Sequence, residues 1–101
     1  MTRTKIELVP DIAKDFERIL EQLDRHELAD PGARIAAIID ALDVLEHNPR
    51  IGRPAAGEMR ELVIGRREQG CLARYRYIEE IDTVFALAIR SQREAGYREE
   101  G

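Results

Sequence analysis

Cysteine and serine occur once each in these 101 residues, as Cys71 and Ser91, and histidine twice, as His26 and His47. A lone cysteine closes no internal disulfide, and one cysteine with two histidines gives no recognisable metal-ligand spacing, so no structural metal is expected. Nucleophilic catalysis is thinly supplied as well, because a Ser-His or Cys-His pair would need His26 or His47 to fold back onto the second half of the chain. No apolar run approaches the roughly 18 residues of a membrane span, and the start, "MTRTKIELVP", lacks the apolar core of a secretory signal. The expectation is a cytoplasmic protein with no membrane association. The patterns GxxxxGK[ST], GxGxxG and HExxH are missing too, which removes the usual warrants for nucleotide binding or zinc-protease chemistry, and no cofactor is expected.

What is present suits one domain. With 44% hydrophobic residues the chain can bury one modest core, and residues 1–97 are read as that domain, with 98–101 as a frayed tail. The net charge of -4 argues against nonspecific binding to phosphate backbones, yet it hides an asymmetry. Residues 1–48 carry 6 basic and 11 acidic side chains, whereas residues 49–101 carry 10 and 9, and all ten of those cations are arginine. Arginine's planar fork suits phosphate and carboxylate recognition; a GC-rich genome would produce the same bias without any function.

Periodicity orders the elements. Thr4 to Val9 alternates, with Ile6 and Leu8 on one side, and reads as a short strand ended by Pro10. Asp11 is the expected N-cap of a helix whose apolar face is Ile12, Phe16, Ile19, Leu20 and Leu23, with Asp15, Arg18, Glu21 and Arg25 opposite. Asp30 and Pro31 start a second helix with a stripe of Ile35, Ile38, Ile39, Leu42 and Leu45, stopped at His47 to Pro49, and the two helices form a hairpin. "PRIGRPAAGE" reads as a loop. Three strands follow. Met59 to Arg67 places Arg60, Leu62, Ile64 and Arg66 on one face. Cys71 to Ile78 places Leu72, Arg74, Arg76 and Ile78 on one face and Cys71, Ala73, Tyr75 and Tyr77 on the other. Thr83 to Ile89, apolar on both faces, reads as a central strand covered on each side. The fold class is α+β, in the order β-α-α-β-β-β, a helical hairpin packed on a mostly antiparallel sheet.

The candidate chemistry lies in the arginines. Arg60 and Arg66 share one strand face, Arg74 and Arg76 share one face of the next, and Arg90 and Arg93 leave the end of the last strand. If they converge, they form a cationic patch for phosphates or a carboxylate-rich partner. Taken singly, each is a surface charge lying over apolar neighbours and paired with Glu61, Glu68, Glu79 or Glu80. Tyr97 reads in the same two ways, as a group that stacks on a base or moves a proton, or as an aromatic anchor that holds the tail, with Gly96 allowing the turn.

The segments "KIELVPDIAKDFERI", "NPRIGRP", "MRELVIGRR", "CLARYRYIEEIDTVFALAIR" and "RSQREAGY", in this order, resemble the RelE/ParE superfamily of type II toxin-antitoxin toxins, and the ParE branch more closely. The resemblance covers nearly the whole chain. It implies a growth-inhibiting toxin of the kind that stabilises plasmids, held by a cognate antitoxin in a hetero-oligomer. ParE-like members inhibit DNA gyrase without cutting a bond; RelE-like members cleave messenger RNA on the ribosome. For the second activity the resemblance points to Arg60, Arg66, Arg93 and Tyr97, with Arg93 and Tyr97 as catalytic residues. Three departures favour the noncatalytic branch: Cys71 and Leu72 stand where RelE-like ribonucleases carry an arginine, Ser91 stands where many relatives have histidine, and the chain is acidic. Enzymatic activity is therefore an open alternative to gyrase inhibition. A degenerate member that binds antitoxin without toxicity is a third reading.

Overall fold

The computed structural model describes residues 3–22, 30–65 and 70–92. Strand β1 (Lys5–Leu8) leads into helix α1 (Ile12–Glu21), and helix α2 (Pro31–Leu42) follows, extended by a 3-10 turn over Asp43–Glu46. Next come β2 (Arg53–Pro54), β3 (Met59–Ile64), β4 (Cys71–Ile78), a 3-10 turn at Glu79–Ile81, and β5 (Thr83–Ser91). The five strands form one sheet in the order β1-β5-β4-β3-β2. Only the β1/β5 pair is parallel. The α+β reading and its element order hold, with β2 added inside the stretch expected to be a loop. The connection between the helices, residues 23–29, lies outside the described residues.

One layer of side chains joins the helices to the sheet. Ile12 and Ile19 from α1, Ile38 and Leu42 from α2, and Leu45 beyond it pack against Cys71, Ala73, Tyr75, Val84, Ala86 and Ile89. All of these strand residues lie on one face, so the helices cover that face alone. The two-sided burial expected of β5 is thus corrected. Register explains it: Tyr75 pairs with Ala86, but Arg74 pairs with Ala88, so Leu87 is an extra residue in β5. A bulge of one residue inverts the alternation. Val84 and Ala86 face the helices before it, and Ile89 and Ser91 face them after it. An unbroken alternation could not have turned both sets to the core.

The helix starts differ. Asp30 caps α2 as expected, its carboxylate accepting the Ala33 N–H at 3.2 Å with Pro31 in the first turn. Asp11 does not cap α1. Its backbone is already helical and its side chain makes no capping bond; the first N–H groups of the helix reach back to Val9 and Pro10 carbonyls instead. Strand β3 is also shorter than expected. It ends at Ile64 because Gly65 adopts φ +76°, a left-handed conformation that leaves the extended region, and Arg66 lies outside the described residues.

Candidate functional site

Backbone pairing sorts the candidate arginines by face. Arg60 stands opposite Tyr75, on the helix-covered side, while Arg74 stands opposite Glu61 and Arg76 opposite Met59 on the other side. Across β4 and β5, Leu72 pairs with Arg90 and Arg74 with Ala88, so Arg90 joins Arg74 and Arg76 on the open face. Arg74, Arg76 and Arg90 share the open face, with Arg76 and Arg90 toward opposite ends of it, while Arg60 projects from the other face and meets Arg76 only in the cleft at one end of the β3/β4 pair. Arg93 and Tyr97, the two residues tied to catalysis, lie outside the described residues, as does Arg66.

Their partners differ as much as their faces. Arg60 Nη1 donates to the carbonyls of Gly52 at 2.8 Å and Arg50 at 3.1 Å, which makes it a clamp on the loop before β2. Arg74 pairs with Glu61 at 3.0 Å and Arg76 with Glu58 at 2.8 Å. The reading of single arginines as paired surface charges therefore fits Arg74 and Arg76, with Glu58 as an acceptor the sequence did not suggest. Arg90, half-buried, makes no ion pair among the described residues. The open face is otherwise a mix of apolar and polar groups, with Val63 beside Leu72 on adjoining strands.

The minor nucleophile candidates are turned into packing. Cys71 is buried, and Arg34 Nη2 donates to its Sγ at 3.2 Å. Ser91 is buried as well, and its hydroxyl donates to Gln22 Oε1 at 2.7 Å. His47 is exposed in the loop after α2, and His26 lies outside the described residues. Among the described residues, no three His, Cys, Asp or Glu side chains are grouped so as to hold a metal, and no helix is long and apolar enough to cross a membrane.

Three side-chain arrangements had no signal in the sequence. Asp15 and Arg18, expected on the outer face of α1, turn inward to the last part of β5. Asp15 Oδ2 accepts the Ile89 N–H at 2.9 Å, Arg18 Nη2 donates to the Ile89 carbonyl at 3.2 Å, and the two are ion-paired at 3.0 Å. They are needed there because β1 runs alongside β5 only as far as Ala86. Second, the Gly52 N–H donates to the hydroxyl of the fully buried Tyr75 at 2.8 Å, and burial raises that phenol's pKa. Third, Asp82 Oδ1 accepts from Tyr77 Oη at 2.7 Å and Thr4 Oγ1 at 2.8 Å, while its carbonyl accepts the Lys5 N–H at 3.0 Å. Asp82 thus ties β1 to the β4/β5 turn from a left-handed backbone, φ 46°.

The Asp82 cluster carries a pH dependence. The phenol and hydroxyl donors hold the Asp82 carboxyl below its ordinary pKa, and the same contact raises that of Tyr77. A depressed carboxyl favours the folded state above the unfolded pKa, and the benefit is lost as pH falls through the folded value. Between about pH 4 and pH 2 the urea midpoint of the wild type should therefore drop more steeply than that of Asp82→Asn, which keeps the left-handed turn. Parallel curves would assign the acid response elsewhere.

The sequence over residues 6–96 matches the family model described as the ParE toxin of the type II toxin-antitoxin system parDE. The chain belongs to the ParE toxin family. A comparison with curated protein sequences gave no match. Among solved structures, the chain is similar to the chromosomal ParDE toxin-antitoxin system from P. aeruginosa, at 19% identity and TM-score 0.64, over 87% of this chain and 95% of that one. The RelBE2 toxin-antitoxin complex from Mycobacterium tuberculosis is similar at 19% identity and TM-score 0.61, over 91% and 94% of the two chains. A mutant of the E. coli toxin RelE in the free state is similar at 15% identity and TM-score 0.62, over 97% and 93%. At these identities the structures establish the fold. The ParE family membership confirms the superfamily expected from the sequence, and within it the branch.

Proposed function

We propose that this ParE family member acts as a toxin by binding DNA gyrase, without breaking a covalent bond, and that a cognate antitoxin neutralises it within a toxin-antitoxin complex. The observation that carries the reading is the ParE toxin match over residues 6–96. Two features support it. At the start of β4 the two candidate positions for a phosphate-binding arginine hold a core cysteine and an open-face leucine, Cys71 and Leu72. The net charge of -4 suits contact with a protein better than with the phosphates of a ribosome. Similarity to the ParDE and RelBE toxin-antitoxin structures supports an antitoxin partner.

The gyrase reading predicts that the purified full chain inhibits supercoiling or traps cleaved DNA, and leaves messenger RNA intact in a translating extract. Messenger RNA cleavage with unaffected supercoiling would overturn it. One observation favours the ribonuclease alternative: Arg90 stands beside the Arg74 strand on the open face with no ion pair among the described residues. Under that alternative, Arg93→Ala and Tyr97→Phe should each lower cleavage by roughly a hundredfold or more without loss of folding, as expected when a charge-stabilising or proton-transferring group is removed. A chain that neither inhibits supercoiling, cleaves RNA nor arrests growth, yet binds its antitoxin, would be the degenerate form.

A further inference from the structure

A cleft of about 410 Å³ opens at the end of the β3/β4 pair marked by Met59 and Arg76, and it is lined by Arg50, Arg60, Arg76, Tyr77, Glu58, Glu79 and Glu80, with Ile78. It is separate from the Ile64, Cys71 and Ser91 end of the sheet, toward which Arg90 lies. We propose that this cleft binds the carboxylates of an acidic peptide segment from a partner protein, and that Glu58 and Glu79 occupy it as internal stand-ins when no partner is present. The inference does not depend on whether gyrase or the ribosome is the target.

The argument begins with the three guanidinium groups. Arg60 is held by the Arg50 and Gly52 carbonyls through Nη1 alone, so Nε and Nη2 of a fixed fork remain as donors, and it makes no ion pair among the described residues. Arg50 lies over the Tyr77 ring, 4.8 Å from its centroid, which orders the guanidinium at little entropic cost. The Tyr77 hydroxyl is directed away, to Asp82. Arg76 completes the set from the open face. Two of the three arginines are satisfied by carboxylates of this chain, Arg50 by Glu79 at 3.0 Å and Arg76 by Glu58 at 2.8 Å.

Exposure decides which side of each pair is replaceable. The Glu79 and Glu58 side chains are 74% and 79% exposed, against 54% and 47% for Arg50 and Arg76. The arginines are the better-anchored partners, and the glutamates sit outermost. Exposed pairs of this kind contribute little to stability, so an incoming carboxylate exchanges for them at small cost. It gains the unpaired Arg60 in addition, and a peptide with several carboxylates engages all three forks together. Glu80 adds one further negative charge, so the lining is neutral overall, three arginines against three glutamates, and a single carboxylate gains little. Several carboxylates linked in one chain are needed to engage the forks together, which points to an acidic peptide.

The test is a titration of the isotopically labelled full chain with pentaglutamate, with trilysine and inorganic phosphate as comparison probes, followed at the amides of Arg50, Arg76 and Tyr77. Saturable shifts with pentaglutamate, weakening severalfold between 50 and 300 mM salt in the manner of ion pairing, are expected. The decisive comparison is between variants. Glu58→Gln with Glu79→Gln should tighten pentaglutamate binding about tenfold, whereas Arg76→Gln should weaken it about tenfold, by the usual scale of one charge-assisted hydrogen bond. Ion pairs that serve only local structure would move both variants in the same direction or leave binding unchanged, and either result overturns the proposal. So would stronger shifts with phosphate or trilysine than with pentaglutamate. Unchanged circular dichroism and urea midpoints in the variants tie the result to the cleft.

Discussion

Replacing Gly52 with alanine should destabilise the protein by about 3 kcal/mol and lower its melting temperature by on the order of 15 °C, the scale expected for overpacking combined with the loss of a buried hydrogen bond. A Cβ at residue 52 would come within 2.7 Å of both the ring and the hydroxyl of Tyr75 and within 2.9 Å of the Glu61 carbonyl oxygen. Neither neighbour has room to give way. Tyr75 is fully buried in the single core cluster, and the Glu61 carbonyl belongs to a strand paired on both sides. If the loop withdraws to relieve the clash, it forfeits the Gly52 to Tyr75 hydrogen bond and pulls on the carbonyl that Arg60 holds. Tyr75→Phe provides the comparison, because it removes the hydroxyl and keeps the ring. It should cost about 1 kcal/mol. In a double-mutant cycle measured by urea unfolding, the two changes should couple, since both act on one contact. A Gly52→Ala protein within 0.5 kcal/mol of the wild type would show that the loop repacks freely, and would remove Arg60 from the role of clamp.

The second large effect is expected at Asp15. Its carboxylate does for β5 what a neighbouring strand would otherwise do: it accepts the Ile89 N–H, with Arg18 donating to the carbonyl of the same residue. Asp15→Ala leaves a backbone donor without its acceptor in a place where water has little access, and removes the anion that orients Arg18. The expected cost is about 2 to 3 kcal/mol, from the desolvation of an unsatisfied group. Asp15→Asn should cost roughly half as much, because the amide oxygen can still accept while the charge is lost. Amide hydrogen exchange distinguishes this account from a general loss of helix stability. Protection at Ile89, whose N–H bonds Asp15, should fall more than protection at Ala73, its neighbour in β4. Equal losses at both sites would mean that Asp15 acts through α1 as a whole.

The consequence reaches the candidate site. Ile89 immediately precedes Arg90, and the Asp15 and Arg18 contacts hold the strand where its alternation has just been inverted by Leu87. Helix α1 therefore helps to hold Arg90 on the open face that the bulge gives it. Growth inhibition by Asp15→Ala would be reduced through this route if the open face meets the target, even though Asp15 lies on the opposite side of the sheet.

Much of this molecule was legible from local pattern. The 3.6-residue spacing of Ile12 and Ile19, and of Ile38, Leu42 and Leu45, picked out the buried sides of the helical region. The two-residue spacing of Cys71, Ala73 and Tyr75 did the same for β4, and the Asp30-Pro31 pair marked the start of α2. These signals are local because each depends only on how neighbouring side chains project from one element. The order of motifs along the chain added the family.

What period alone could not specify is how the faces of different elements meet. Alternation grouped Arg74 with Arg76, and Arg60 with Leu62, but the register between β3 and β4 decided that these two groups lie on opposite faces. Alternation along Thr83 to Ile89 suggested burial on both sides, because a one-residue bulge leaves no mark in a run of apolar residues; only pairing with β4 reveals it. Asp15 and Arg18 looked like solvent-facing charges for a related reason. Their use depends on β1 ending its pairing at Ala86, far along the chain from both, where an unpaired stretch of backbone needs a carboxylate and a guanidinium. The sequence by itself determined the elements other than β2, the buried sides of the helices, and the family to which the chain belongs. The tertiary structure decided which arginines share a surface and which polar groups are structural, since both depend on long-range register and on where a backbone hydrogen bond is left to be filled.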